Sequence, residues 1–166
     1  MIALDESQIN RILEQNNEEL KKIGKYHYLP HRSPGEWVVA DLLKRMNIRY
    51  IPEYVMKNLR DDHCKYRIAD FYLPREDVII EHCGGWSTSN EEKSRYRQKR
   101  KIYLRNNVKH LFIYPKELNF LDPEYLKYKI EVVMRNGRGW DPSKDTQLIQ
   151  RLKYKLKRFF KSMIWT

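Results

Sequence analysis

The order of hydrophobic and polar residues divides the 166-residue chain into helical and extended stretches. Residues 5–23 place Ile and Leu at helical spacing among polar residues, and Asp5 with Gln8 matches a capping box, so a helix is predicted there. A second helix is predicted from Ser33, which is the cap residue; Pro34 follows in the first turn, and Glu36 lies three residues after the cap. Its broad apolar surface is formed by Trp37, Val39, Ala40, Leu42, Leu43 and Met46.

Three extended stretches follow this helix. Residues 49–59 are predicted to form a strand in which Pro52 marks an edge or a bend. Residues 66–73 alternate and are rich in Tyr, Ile and Phe, residues 74–77 supply turn chemistry, and residues 78–80 are a short apolar run typical of a buried strand. The pattern predicts an antiparallel meander of three strands with the second helix on one face.

Another helix and a fourth strand complete the predicted core. The helix is predicted over residues 90–107, with Tyr96, Tyr103 and Leu104 on its inward side. Residues 108–114 should then form a strand parallel to a neighbour, because a helical crossover precedes them. The order helix, three strands, helix, strand predicts an α/β sandwich.

The predicted organisation is a single domain. It comprises an N-terminal helix and connector (1–32), the core (33–115) and a basic helical appendage (116–166), in which one helix opens at Asp122 and ends near Gly137. A last, cationic amphipathic helix could lie on a membrane, bind a partner or pack on its own domain. We favour packing, which leaves its basic residues to contact nucleic acid. They are Arg151, Lys153, Lys155, Lys157, Arg158 and Lys161.

Charge narrows the choice of partner. The chain has 33 Lys and Arg against 22 Asp and Glu, a formal net charge of +11, which favours an anionic polymer such as nucleic acid. No run of 18 apolar residues and no signal-peptide pattern occurs, so we expect a soluble cytoplasmic protein without a membrane partner, associated with the nucleoid if cellular. Two cysteines are too few for a disulfide scaffold.

Two carboxylates mark the candidate chemistry. Asp70 lies near the end of the second predicted strand and Glu81 near the end of the third. Carboxylates so placed can share Mg²⁺, which prefers oxygen ligands and needs only one or two from protein. Such an ion can activate water and stabilise the charge that develops on a phosphate during hydrolysis.

These motifs resemble a known superfamily. Asp70 in ADFYLP, Glu81 in VIIEHCGG and Glu36 in SPGEWVVADLL resemble the core of the PD-(D/E)xK nucleases, the restriction-endonuclease-like fold, over about half the chain. The resemblance implies a metal-dependent DNA endonuclease that hydrolyses phosphodiester bonds with Mg²⁺ or Mn²⁺ and no small-molecule cofactor. It implies that Asp70 and Glu81 bind the metal and that Glu36 supports a second ion or a water ligand. Glu36 is also explained as part of the capping box alone. A symmetric homodimer is the default for cutting both strands.

One position departs from the superfamily pattern. The signature lysine would fall two residues after Glu81, where this chain has Cys83. Its backbone carbonyl could still be a metal ligand, but a neutral thiol cannot supply the missing charge. Lys99 can, because it falls about 60° from Tyr96 on the helical wheel and therefore faces the sheet. The alternative is that Lys99 belongs to a solvated run of charge.

Two other interpretations stay open. A protein that keeps the fold and binds DNA without cutting it would also explain Cys83. The pairs His63-Cys64 and His82-Cys83 contain zinc-ligand residue types, but adjacent residues on a strand point to opposite faces, which disfavours a four-ligand zinc site.

Overall fold

The computed structural model describes residues 4–25 and 33–139. The last predicted helix and its six basic residues therefore lie outside the described residues. The helices are α1 (Glu6–Lys22), α2 (Pro34–Arg45), α3 (Asn90–Arg105), α4 (Pro115–Leu118) and α5 (Pro123–Asn136). The strands are β1 (Ile51–Lys57), β2 (Tyr66–Leu73), β3 (Val78–His82) and β4 (His110–Ile113), and a 3-10 helix spans Gly84–Ser87.

The strands form one open mixed sheet in the order β1-β2-β3-β4. β1, β2 and β3 are the antiparallel meander that the sequence predicts, with Phe71 opposite Ile80. β4 is parallel to β3, as expected for a strand that follows a helical crossover, and Leu111 lies opposite Ile80. The chain is thus an α/β protein.

Apolar side chains cover both faces of the sheet. On one face, α2 and α5 pack against the strands through Val39, Leu43, Phe71, Ile80, Leu111 and Leu126. On the other face, α3 covers a second cluster that contains Met56, Ala69, Ile79, Cys83, Tyr103 and Phe112. Burial on both faces explains why all five residues of β3 are buried, including the polar residues at its end.

Capping residues fix the helix ends where the sequence predicts them. Asp5 and Gln8 form a capping box at α1. The side chain of Asp122 accepts the N–H of Tyr125 at the start of α5, and Gly137 ends this helix with a φ of 60°. No helix in the described part of the chain is both long enough and apolar enough to cross a bilayer.

Two apolar residues lie differently from the prediction. Trp37 in α2 is 59% exposed, and Leu104 in α3 is 43% exposed although it was expected on the inward side. Ile102, which is 3% exposed, takes the inward position in the last part of α3. Helical periodicity gives the direction of a side chain, but burial also requires that another element face that turn of the helix.

The first strand is an edge strand, as Pro52 suggests, and α1 packs along it. The Asn16 side chain from α1 donates to the carbonyls of Pro52 (3.3 Å) and Glu53 (3.2 Å) and accepts the N–H of Val55 (2.8 Å). Glu53 has a φ of 47°, a conformation uncommon for a residue with a side chain. The amide of Asn16 therefore satisfies the backbone where the strand is distorted.

Candidate active site

The strand register brings the two predicted acidic residues together. The paired part of β2 and β3 ends at Phe71 opposite Ile80, so Asp70 and Glu81 occupy the next positions on neighbouring strands. The side chain of Asp70 replaces the backbone pairing there, because its Oδ2 accepts the N–H of His82 at 2.6 Å. Asp70 is thereby held at the point where the two strands separate.

Glu81 is 1% exposed and is bound by two side chains from α3. Its Oε2 lies 2.7 Å from Nζ of Lys99, and its Oε1 accepts a hydrogen bond of 2.6 Å from Oη of Tyr103. Lys99 also donates to the carbonyl of Ile68 at 2.8 Å. Lys99, which the helical wheel directs towards the sheet, thus reaches the buried carboxylate of Glu81.

The pKa of Asp70 is raised well above its usual value. Burial is the largest cause, and the negative charge of Glu81 adds to it; the charge of Glu36 contributes less. Lys99 and the N–H of His82 oppose the rise but do not cancel it. Burial and the neighbouring carboxylates thus favour the neutral form of Asp70, and a cation bound at the cleft would favour its ionised form.

Glu36 approaches from the first turn of α2. The hydroxyl of Ser33 accepts the N–H of Glu36 (3.2 Å) and donates to its Oε1 (2.8 Å). Ser33 therefore caps the helix and fixes the Glu36 carboxylate at the same time, so the capping and the site explanations of this residue are compatible.

His82 supports Ser33 from the end of β3. Its Nδ1 lies 3.3 Å from the Ser33 hydroxyl, whose hydrogen is already donated to Glu36, so we assign the proton to Nδ1. The ring packs on Gly35, where an added Cβ would lie 2.1 Å from Cε1 of His82. Burial lowers the pKa of His82, which keeps the ring neutral.

These side chains line one cleft. Glu36, Asp70, Glu81 and Lys99 all contribute to a cleft with a volume of about 370 Å³. Its far wall is formed by backbone after β3 and by the beginning of α3, including Arg95. The four residues predicted to be catalytic are therefore brought together, although they come from three separate parts of the sequence.

Cys83, unlike these four residues, does not line the cleft. Its side chain is 0% exposed and belongs to the apolar cluster beneath α3, where burial raises the pKa of the thiol. Its backbone carbonyl accepts the N–H of Trp86 at 2.9 Å. The thiol is withdrawn from the cleft, and the carbonyl belongs to a residue that does not line it, so the role of Cys83 as a metal ligand stays a prediction.

The donor set fits a hard divalent cation better than zinc. Asp70 and Glu81 offer carboxylate oxygens, the type of ligand that Mg²⁺ and Mn²⁺ prefer; each oxygen of Glu81 already accepts one bond, so a cation would use the remaining lone pairs. The ligand atoms of Asp70, Glu81 and Glu36 do not all lie within 4.8 Å of one another. Among the described residues, the trio of His, Cys, Asp or Glu side chains that meets this distance is Asp62, His63 and Cys64. Two carboxylates with remaining positions open to water suit Mg²⁺, which keeps several waters in protein sites.

The Asp62 trio is weak evidence for a metal site. Both carboxylate oxygens of Asp62 are bound by Arg67, at 2.7 and 2.8 Å, and this pairing lowers the pKa of Asp62 to about 2. His82 and Cys83 are not part of the trio. A four-ligand zinc site joining the two His-Cys pairs is therefore not formed.

The sequence does not indicate every residue in and around the cleft. The pattern predicts that Tyr103 faces inward but not that it donates to Glu81, although it lies one helical turn after Lys99. The residue type of His82 suggests a zinc ligand, whereas its contact with Ser33 depends on tertiary structure. No local signal distinguishes Arg95 from the other cations of α3, since its place at the cleft depends on tertiary structure.

Comparison with known proteins adds no relative: neither a protein-family model nor a curated protein matches the chain. The site is therefore the basis for any conclusion about function.

Proposed function

We propose that the protein is a metal-dependent DNA endonuclease with a PD-(D/E)xK-type active site. The observation that carries this proposal is the position of Lys99, whose Nζ lies 2.7 Å from Oε2 of Glu81 at the cleft that also contains Asp70. An acidic pair at the point where two strands separate, with a lysine beside it, is the arrangement that the superfamily resemblance implies; Asp70 itself lies inside β2 and not near its end, where the sequence predicts it. Here the lysine comes from α3.

In this mechanism Asp70 and Glu81 would hold Mg²⁺ or Mn²⁺, which supplies Lewis acidity and a means of activating water. Lys99 provides a fixed positive charge to the phosphate as negative charge develops on it. That contribution is large only because the lysine is already oriented by Glu81 and Ile68. Glu36, held by Ser33, faces the cleft and orients water or supports a second cation.

The competing proposal is a nuclease-like DNA-binding protein without catalytic activity. It was motivated by the loss of the lysine at position 83. The ion pair between Lys99 and Glu81 supports the enzyme over this alternative, because it restores a cation beside the acidic pair. The net charge of +11 suits DNA binding under either proposal.

The test is cleavage of supercoiled plasmid and of branched DNA in Mg²⁺, Mn²⁺ or EDTA. We expect metal-dependent cutting by the native protein and its loss in Asp70→Asn. Lys99→Ala should reduce the rate by about 10²–10³-fold, the usual effect of removing a donor to a developing charge. Matched controls are Lys101→Ala, an exposed lysine on the same helix, and Asp77→Asn, an exposed carboxylate in the turn before β3.

The outcomes separate the two proposals. Loss of cutting in Asp70→Asn with full activity in Lys99→Ala would retain the enzyme and remove Lys99 from its mechanism. If the native protein binds these DNAs but cuts none of them with either metal, the inactive binding protein is the better account.

A further inference from the structure

Beside the cleft lies a cationic and aromatic strip, which we define as Trp86, Arg95 and Arg97. Arg95 forms part of the cleft wall, and its guanidinium lies 5.4 Å from the centre of the Tyr96 ring. Arg97 lies over the ring of Trp86 at 5.6 Å. The strip therefore begins at the cleft and continues over the 3-10 helix.

Aromatic contacts support the strip from below. The Trp86 ring meets Tyr114 edge-on, with the ring centres 4.7 Å apart. An arginine stacked on an aromatic ring keeps its charge and can still direct N–H groups at a phosphate. Arginine and aromatic side chains together are the combination that binds the backbone and bases of nucleic acid strands.

From this arrangement we infer that a DNA strand leaves the cleft over the strip and that Arg95 binds the phosphate next to the scissile one. The inference rests on the proposed function, because it takes the cleft as the place of the scissile phosphate. Charge complementarity selects the occupant: Arg95 lines the cleft, Arg97 lies over Trp86 just beyond the cleft-lining Gly85, and phosphodiesters are the anions of a DNA strand.

Glu92 limits how strongly Arg95 binds a DNA phosphate. Its Oε2 lies 2.8 Å from Nη2 of Arg95, and its carboxylate packs against Gly85, where an added Cβ would lie 2.8 Å from Oε2. The Arg95 side chain is 63% exposed, so the pair with Glu92 is weak and a phosphate can replace the carboxylate. Glu92 positions the guanidinium in the free protein and competes with DNA for it.

The chain offers a matched control for Arg95. Arg45 in α2 has the same exposure of 63% and a comparable ion pair within its own helix, 3.7 Å to Asp41. It lies in the last turn of α2, whereas the residue of α2 that lines the cleft is in the first turn. Arg95→Ala and Arg45→Ala therefore remove the same charge at a binding and at a non-binding position.

The experiment measures binding of a fluorescent DNA duplex in EDTA, so that no cleavage occurs, across a range of salt concentrations. Arg95→Ala should weaken binding about three- to tenfold and reduce the slope of log K against log salt by about 0.9, the value for one lost phosphate contact. Arg45→Ala should leave both quantities close to native. Glu92→Gln should strengthen binding about two- to fivefold, and more than Asp41→Asn, which changes the net charge equally.

Equal binding by Arg95→Ala and Arg45→Ala, with native protein that binds and cuts DNA, would overturn the inference and leave the proposed function intact. Glu92→Gln no tighter than Asp41→Asn would overturn the role given to Glu92. Failure of the native protein itself to bind or cut DNA would instead reject the proposed function. Thermal unfolding of each variant ensures that the comparison is made between folded proteins.

Discussion

Single residues hold the negative charge of the cleft in place. Glu81 is almost fully buried and stays in position because each of its oxygens receives a donor, one from Lys99 and one from Tyr103. A buried carboxylate loses its hydration, and without such donors no hydrogen bond compensates for that loss. The two donors come from positions one helical turn apart, so α3 acts as a rigid support for the acidic residue.

Tyr103→Phe tests this support. The substitution keeps the ring in its apolar cluster but removes the 2.6 Å bond to Glu81, so we expect the free energy of unfolding to fall by about 2 kcal/mol. The cleavage rate should also fall, because Glu81 becomes free to move. Urea unfolding and plasmid cleavage measure the two effects.

Tyr96→Phe is the control for stability, since the Tyr96 hydroxyl accepts a long bond of 3.4 Å from the N–H of Gly85. Its stability should change by less than about 0.5 kcal/mol, as expected for a weak and partly exposed hydrogen bond. An equal fall in the free energy of unfolding in the two variants would show that the bond from the Tyr103 hydroxyl to Glu81 adds no particular stability.

Among the elements, the beginning of α2 both caps the helix and holds a carboxylate that lines the cleft. Ser33 caps the helix and binds Glu36, and Gly35 allows the ring of His82 to lie against the helix backbone. The close approach of α2 and β3 is possible only without a side chain at position 35. The position of Glu36 thus depends on a contact between two elements that are distant in sequence.

Gly35→Ala should disturb both the helix cap and the position of Glu36. Its Cβ would lie 2.1 Å from Cε1 of His82, so the ring or the helix must move, and we expect a loss of about 1–3 kcal/mol in stability. At Gly84 the corresponding distance to Cε1 of His82 is 3.2 Å, which a small shift of the ring relieves, so Gly84→Ala should cost clearly less. Thermal unfolding decides the matter, and a Gly35→Ala protein as stable as Gly84→Ala would contradict the packing argument.

Helices, strands and their order could be predicted from the sequence because they depend on local periodicity and capping. Even the direction of Lys99 follows from its angle on the helix. Contacts between distant elements could not be predicted in this way. The bond from Tyr103 to Glu81, the packing of His82 on Gly35 and the exposure of Leu104 all depend on how α2 and α3 are placed on the sheet.

For the whole molecule, metal binding should raise the free energy of unfolding. Mn²⁺ or Mg²⁺ that binds the folded protein at about 100 times its Kd contributes about 2.7 kcal/mol. For a protein of this length we expect a rise in Tm of about 5–10 °C, and EDTA should reverse it. Asp70→Asn should abolish the rise, whereas Asp77→Asn should keep it.

Cys64→Ser identifies the source of any such rise. The variant removes a ligand from the Asp62, His63 and Cys64 trio but leaves the cleft unchanged. If the metal-induced rise in Tm is lost in this variant but retained in Asp70→Asn, the metal binds at the trio and not in the cleft.

The bonds from Asn16 to β1 have a consequence for self-association. An edge strand normally presents unpaired backbone groups that can recruit a strand from another copy and start aggregation. Here two carbonyls and one N–H of β1 are already bound by a side chain of α1. A second chain that tried to extend the sheet at this point would have to displace α1 first, so α1 protects the β1 edge against strand-to-strand association.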